Sequence, residues 1–301
     1  MDRGIPAGCS IIEAIGFGTN YLKQRGIGNA RLEAEVLLAH VLKAERIILY
    51  MEADALLGQK DAVAYQRALA KRGENTPSAY ITGLREFYSM EFIVDEKVLI
   101  PRPETEHLVD WVLGLLSKGT LDGFYNILDL GTGSGAIAVA LGHNLLNIGR
   151  SNFRIYAVDI SPEALSVAEK NIRKWQMSDY IELNYGDLYG GLPEVLAGHV
   201  AVVVSNPPYI ASGELQELSP DVRLYEPLGA LDGGEKGLDY YRPILAGAKG
   251  FLRPGGAVAL EIGDGQGHEV VELARELHYD NVGLHLDYAG KERMVTALWD
   301  K

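Results

Sequence analysis

The sequence predicts an α/β protein with a parallel sheet, preceded by a helical domain. Three observations carry that expectation. From Asn126 onward, short apolar runs alternate with helical stretches, the pattern of a parallel sheet with right-handed crossovers. A glycine-rich turn, Gly131-Thr132-Gly133-Ser134-Gly135, follows the first of those runs. Residues 200–204 are apolar, four of the five being valine, and Ser205-Asn206-Pro207-Pro208-Tyr209 stops them abruptly.

Length and composition set the frame. At 301 residues there is room for two domains, and 47% hydrophobic with 23% charged residues is ordinary for a globular protein. No apolar stretch approaches a membrane span, so no membrane association is expected. The start, M-D-R-G-I-P-A-G-C-S, has neither the apolar core of a signal peptide nor the Arg-rich character of a transit peptide. The single cysteine, Cys9, cannot form an internal disulfide and reads as incidental, in a mobile end. A reducing, cytoplasmic location follows. With 28 Lys and Arg against 41 Asp and Glu, the formal net charge is −13. Such a surface is unfavourable for a phosphate backbone, so no direct contact with nucleic acid is expected.

Residues 1–75 read as a helical domain. Helices are expected over 10–25, over 31–42 and over 61–72. The second places Leu32, Val36, Leu37 and Val41 at helical spacing behind Asn29 as N-cap, and the third puts Val63 and Leu69 on one side. Residues 76–105 form a linker and a β-hairpin, with Asp95-Glu96 as its turn. The stiff segment Ile100-Pro101-Arg102-Pro103-Glu104-Thr105-Glu106 then leads into a helix over 107–116, opened by Glu104 or Thr105. Residues 106–301 make the sheet domain.

Within that domain, residues 127–130 form a strand, the glycines turn the chain, and a helix continues over 136–141. Glycines let backbone approach a ligand, and a helix start presents free N–H groups. The spacing is G-x-G-x-G, not the dinucleotide fingerprint. Asp129 before the turn suits an ammonium better than a pyrophosphate. The next strand, 154–159, ends in Asp159, where an acid accepts from ribose hydroxyls. The competing role of helix N-cap is better filled by Ser161, with Pro162 at the first helical position. A strand over 180–185 closes at Gly186-Asp187-Leu188, an edge for an adenine ring whose amino group Asp187 could meet; Asp187 can equally be a plain turn residue.

The apolar run 200–204 reads as a strand buried on both faces and ended by prolines that cannot donate to a ladder. Its carboxyl end is where open α/β sheets bind ligands. Asn206 offers a carboxamide oxygen, Pro207 a rigidly held carbonyl, and Tyr209 a flat face. With Pro208 they form a clamp for a planar NH2 group, both of whose hydrogens would be accepted. A Pro-Pro turn with a capping Asn is the bland alternative. The glycine-rich turn upstream favours the clamp.

Downstream, residues 213–235 read as a loop over the cleft and 237–252 as a helix. Residues 253–256 form a turn into a strand over 257–262, followed by a helix over 266–277. Strands over 282–286 and 293–299 form a final hairpin, so the last runs antiparallel. Metal and covalent chemistry find no support. His268-Glu269 lacks a second His for a zinc-protease motif, one cysteine cannot build a thiolate cluster, and Ser134 lacks the context of a nucleophile elbow.

In this order the motifs resemble the S-adenosylmethionine-dependent methyltransferases that act on planar nitrogens. The stretches Y-I-T-G-L-R-E-F-Y at 80–88, L-I-P-R-P-E-T-E at 99–106, D-L-G-T-G-S-G at 129–135, S-N-P-P-Y-I at 205–210 and D-V-R-L-Y-E-P at 221–227 resemble the HemK-type release factor glutamine (N5) methyltransferases. The resemblance covers nearly the whole chain. It implies a Rossmann-like sheet of seven strands with the last antiparallel, and an N-terminal domain that helps hold a protein partner. It implies S-adenosyl-L-methionine as cofactor, S-adenosyl-L-homocysteine as product, and the glutamine of the Gly-Gly-Gln motif of peptide-chain release factors as substrate. Cofactor contacts are then expected from Asp129, Gly131, Thr132, Gly133, Ser134, Gly135, Asp159, Asp187, Leu188 and Asn206. Substrate contacts are expected from Asn206, Pro207, Pro208 and Tyr209, with Asn206, Pro207 and Tyr209 carrying the catalysis and no metal. Three alternatives stand beside it: glutamine methylation of a ribosomal protein, adenine-N6 methylation of DNA, which should bring a basic face, and a non-catalytic cofactor-binding scaffold, which has no need of an NH2 clamp.

Overall fold

The computed structural model describes Ile5 and residues 8–117 and 123–300; the rest of the opening segment read above lies outside these. The chain forms two compact units. One runs up to Leu84 and takes in Ser219–Tyr225; the other comprises Arg85–Leu218 and the residues from Glu226 onward.

Among the described residues, the leading segment of the first unit holds five helices: α1 (Ile11–Gln24), α2 (Ala30–Leu42), α3 (Arg46–Met51), α4 (Gln59–Gly73) and α5 (Ser78–Thr82). Helix α1 starts at a reciprocal cap. The Ser10 side chain accepts from Glu13 N–H, and the Glu13 carboxylate accepts from Ser10 N–H at 2.8 Å. Asn29 sits at the cap position of α2 but is left-handed and makes no capping bond with its side chain. Leu37 and Leu69 are buried as their spacing suggested, but Leu32 and Val63, set on the same faces, are exposed; Ala34 and Leu38 of α2 and Ala62 and Tyr65 of α4 join the core. Cys9 is half-buried against that core rather than in a loose end, and its carbonyl accepts from Leu57 N–H. Buried Arg72 bonds Glu33 at 2.9 Å and Asp221 at 3.4 Å, which ties residues 219–225 into this unit.

The second unit begins with a small two-stranded sheet, β1 (Leu84–Phe87, its first residue closing the other unit) and β2 (Met90–Ile93). Its turn is Tyr88-Ser89, both with positive φ of 53° and 56°, and not Asp95-Glu96 as the sequence suggested. A two-residue hairpin loop demands that backbone, usually from Asn or Gly. Here Glu106 accepts the Tyr88 N–H at 2.8 Å and holds a turn without the usual residues.

A 3-10 turn, Pro103–Thr105, opens α6 (Glu106–Ser117). Then follow β3 (Tyr125–Leu130), α7 (Ala136–Asn147), β4 (Phe153–Asp159), α8 (Pro162–Lys174), β5 (Ile181–Tyr185) and β6 (Val200–Ser205). The short α9 (Pro220–Tyr225) belongs to the first unit. The chain continues with α10 (Tyr241–Phe251), β7 (Leu252–Glu261), α11 (Gly267–Glu276), β8 (Asp280–Leu286) and β9 (Glu292–Trp299). Residues 253–256, expected as a turn, belong to β7, whose pairing with β6 shifts register between Val200 and Val202 to absorb them. The cleft loop expected over 213–235 is broken into short helical pieces.

Strands β3 to β9 form one seven-stranded sheet in the order β5-β4-β3-β6-β7-β9-β8. β9 runs antiparallel to both its neighbours, β7 and β8; β3 pairs in parallel with β4 and β6, and β6 with β7. Helices α6, α7 and α8 cover one face through Val109, Val112, Val139 and Ile172. Helices α10 and α11 cover the other through Ile244, Leu245, Val270 and Ala274. All six residues of β6 are buried. Each of its fully buried valines contributes about 1.5–3 kcal/mol relative to an exposed one. The direction of strand succession reverses between β3 and β6, the place where open α/β sheets bind ligands.

One buried side chain ties three segments of this unit together. Asn171 of α8 accepts from Ile93 N–H at 2.7 Å and donates to the carbonyls of Ile93 and Ser134, each at 2.9 Å. Asn171→Leu would leave these groups without partners in a dry site, each orphaned group costing about 1–3 kcal/mol. Urea denaturation should show that loss; a variant as stable as the parent would contradict it.

Candidate active site

A cavity of about 220 Å³ opens at the carboxyl ends of β3 and β6. Its wall takes in Leu130, Gly131 and Gly133 after β3, and Ser205, Asn206, Pro207 and Pro208 after β6. Asp159 and Ile160 after β4, and Gly186, Asp187 and Leu188 after β5, complete that side. Sequence reasoning did not foresee the opposite wall: Lys97, Val98 and Leu99 from the segment after β2, Pro227, Gly229 and Ala230 from the cleft loop, and Tyr240.

The glycine-rich turn is fixed from behind. Gly131 and Thr132 N–H both donate to the Val158 carbonyl at 2.9 Å. Gly135 has φ +78°, and a Cβ there would stand 3.2 Å from Ala168 Cβ, so glycine lets the turn sit on α8. Asp159 Oδ2 accepts from Gly133 N–H at 2.8 Å and Oδ1 from Ser161 N–H at 2.9 Å. Each oxygen keeps a further lone pair for a ligand hydroxyl. Burial raises the Asp159 carboxyl pKa above its ordinary value, against the pull of those backbone donors. Ser161 caps α8 by accepting from Ala164 N–H at 3.1 Å. Asp187 lies at the exposed rim, and Leu188 holds a left-handed backbone with φ 50°.

Four residues expected to touch the ligand lie behind this wall rather than in it. Thr132, Ser134 and Gly135 are buried in the turn. Asp129 is fully buried, its Oδ2 accepting from Thr132 Oγ1 at 2.6 Å. It stiffens the turn and faces the start of α7.

The other half of the site is built on Asn206. Its Nδ2 donates to Thr105 Oγ1 at 3.1 Å, and Thr105 Oγ1 donates to Glu261 Oε2 at 2.6 Å. Glu261, at the end of β7, is fully buried, and its Oε1 makes no hydrogen bond of ordinary geometry. The Tyr209 hydroxyl is nevertheless near enough to lower its pKa. The Tyr209 ring does not line the cavity: it packs towards Gly263, whose added Cβ would meet it at 3.3 Å. Gln266 donates to the Tyr209 carbonyl at 2.9 Å and to the Gly237 carbonyl at 3.2 Å. At Gly237, with φ +70°, any side chain would run into the Tyr209 carbonyl. Arg102 does not reach the cavity either; it pairs with Glu226 at 2.6 Å, and Glu226 also accepts from Ile100 N–H at 3.1 Å. That ties the Pro-rich segment to Pro227 of the cavity wall.

Burial pushes the carboxyl pKa of Glu261 up from 4.5, and that of Asp129 up from 3.8, each to about 7. The unfolded chain releases these protons first. Between about pH 4 and 7 the folded state therefore binds more protons, and stability falls as pH rises. The stabilisation from Glu261 is complete below about pH 4.5 and lost by about pH 7, on the order of 3 kcal/mol. Glu261→Gln should flatten the decline in unfolding free energy between pH 5 and 7.5, measured in urea. An unchanged slope would show that the buried carboxyl does not titrate there.

Comparison with known proteins gives the family of the chain. Family models match two stretches, the PrmC N-terminal domain over residues 13–83 and the Methyltransferase small domain over residues 114–219. The chain is 42% identical over 286 residues to a release factor glutamine methyltransferase of Moorella thermoacetica, spanning 95% of this chain and 97% of that one. It is 37% identical to the protein of that name from Rhodopirellula baltica, over 95% of each. It is 34% identical to a bifunctional methyltransferase of Rickettsia conorii, of which it spans 57%. Among solved structures, the hMettl16 catalytic domain in complex with a MAT2A 3′UTR hairpin is similar in fold, with a TM-score of 0.55 and 15% identity. That match covers 81% of this chain and 84% of that one. Near-full-length likeness to such relatives makes this chain a member of the release factor glutamine methyltransferase family.

Proposed function

We propose that the protein transfers a methyl group from S-adenosyl-L-methionine to the side-chain amide nitrogen of the Gly-Gly-Gln glutamine in peptide-chain release factors, in the cytoplasm. One observation carries the chemistry. The Asn206 carboxamide is held by its nitrogen at Thr105, so its oxygen is the end available to the cavity that Asn206 lines.

The cavity fits the cofactor by its donor set. Two carboxylates, Asp159 and Asp187, suit a ligand with positive charge and hydroxyls, and the apolar Ile160, Leu188 and Pro207 suit a flat ring. When bound, S-adenosyl-L-methionine supplies a methyl group on a cationic sulfur and leaves as S-adenosyl-L-homocysteine. Gly131 and Gly133 offer backbone to its amino-acid portion, Asp159 its spare lone pairs to the ribose, and Asp187 and Leu188 a rim for the adenine. Asp129, Thr132, Ser134 and Gly135 act behind them, holding the turn in shape.

A glutamine amide is a weak nucleophile because its lone pair is delocalised. Asn206 Oδ1 and the Pro207 carbonyl accept its two hydrogens and fix its plane, while Pro208 on the cavity wall shapes the place it enters and the Tyr209 ring packs behind, towards Gly263. Placement of this kind can supply about 7–11 kcal/mol of a barrier. Oriented acceptors in a dry site also favour the positive charge that develops on that nitrogen as its bond to the methyl carbon forms and the methyl–sulfur bond breaks; the strongly acidic N-methylated amide then releases one of its two hydrogens as a proton to water. The helical first unit, matched by the PrmC N-terminal domain, is the part we assign to the protein partner. With a net charge of −13, direct contact with nucleic acid is disfavoured, which argues against the DNA reading.

Mass spectrometry of a release factor incubated with the enzyme and labelled cofactor should find label on the Gly-Gly-Gln glutamine. Label on DNA or on a ribosomal protein alone would overturn the substrate. Asn206→Ala should lower turnover roughly 10²–10³-fold, the scale of losing one oriented polar group, with cofactor affinity nearly unchanged. Asp159→Ala should instead weaken cofactor binding about 10–100-fold in calorimetry, since hydrogen bonds to charged groups contribute about 1.5–3 kcal/mol. Unchanged affinity would remove Asp159 from the ribose.

A further inference from the structure

We infer that Thr105, oriented by Glu261, is a positioning residue that decides which end of the Asn206 carboxamide faces the cavity. The inference rests on the proposed clamp and adds what makes it one-handed. A carboxamide's oxygen and nitrogen are nearly equal in size, so packing alone does not choose between them. Had the nitrogen faced the cavity, Asn206 would present donors to a substrate NH2 that itself needs acceptors.

The choice is made two bonds away. A threonine hydroxyl has one proton. Glu261 Oε2, when it carries no proton, takes it at 2.6 Å, and Thr105 Oγ1 is then left to accept from Asn206, which it does from Nδ2 at 3.1 Å. Asn206 Oδ1 is thereby turned towards the other side. The relay is buried at its source: Thr105 and Glu261 are 4% and 1% exposed. A carboxylate costs stability there; among the described residues Glu261 has no ion pair within 4 Å, Arg293 and the Tyr209 hydroxyl ease its charge from nearby, and its one hydrogen bond of ordinary geometry goes to Thr105. Three separate segments converge on this point: the turn before α6, the end of β6 and the end of β7. The selecting group is an accepting hydroxyl, not bulk, and that separates this role from packing.

The test uses the full chain, with Thr105→Val as the near-isosteric variant that cannot accept, and Thr105→Ser as its rescue. The valine variant should lose about 10²-fold in kcat, the scale of a misplaced catalytic group. Its cofactor Kd by calorimetry should stay within about twofold, and the serine variant should recover kcat to within about threefold of the parent, both tolerances lying far below that 10²-fold loss. A valine variant with parental kcat, or a serine variant as impaired as valine, overturns the inference. A second readout is independent of turnover and substrate. In NMR spectra of protein labelled at asparagine, the Asn206 side-chain NH2 should show a hydrogen protected from exchange in the parent and in Thr105→Ser. No protection in the parent refutes the bond to Thr105 even if the valine variant does not fold. A parent enzyme that leaves release factors unlabelled refutes the substrate instead, and the NMR result still judges Thr105.

Discussion

The parallel pairing of β3 with β6 is the constraint on which the site depends. Their register sets Leu130 beside Ser205, and the Ser205 hydroxyl donates to the Leu130 carbonyl at 2.7 Å. Both strands therefore end at the same level. One then turns through three glycines with positive φ and the other through two prolines, so the two loops part and leave a cavity between them. Neither loop needs to be ordered by the ligand. The glycine turn is held by Val158, Ala168 and Asn171, and the Asn-Pro-Pro-Tyr turn by Thr105 and Gln266. Preorganisation of this kind makes fixed acceptors effective in a dry site.

Much of this was legible in the sequence because its signals are local. The valines of β6, the glycine spacing, Ser161-Pro162 at the head of α8 and the acid ending β4 each lie within a few residues of what they determine. What was missed is non-local. Thr105 and Glu261 are 156 residues apart, Ile100 and Glu226 126, and Ile93 and Asn171 78. No periodicity encodes such pairs, and each looks like an ordinary polar residue until the fold brings its partner. The Tyr88-Ser89 turn was hidden for a related reason. Its unusual backbone is supported by Glu106, 18 residues on from Tyr88, and not by glycine. In α2 and α4 hydrophobic spacing was present but two-sided, so Leu32 and Val63 could be assigned to the core although alanines took their place.

The buried acids explain why the placement of the expected ligand residues split in two. Asp129 and Glu261 are both fully buried at strand ends, one under each loop. Each has one oxygen in a 2.6 Å bond from a threonine hydroxyl and another without a partner of ordinary geometry. A carboxylate in that setting is expensive. A threonine hydroxyl that donates to an acid has its lone pairs fixed in direction, so each acid orients its threonine. Asp159 and Asp187, which do line the cavity, remain free to meet the ligand through unused lone pairs. The two kinds of acid carry different burdens: the inner pair sets shape, and the outer pair sets charge. Of the charged side chains on the wall two are carboxylates, Asp159 and Asp187, and one is Lys97, a balance that favours a cation over a phosphate. The glycine turn lies where nucleotide folds hold a pyrophosphate, but its Gly133 N–H already donates to Asp159 Oδ2 at 2.8 Å, so that donor is spent on a carboxylate of the chain itself.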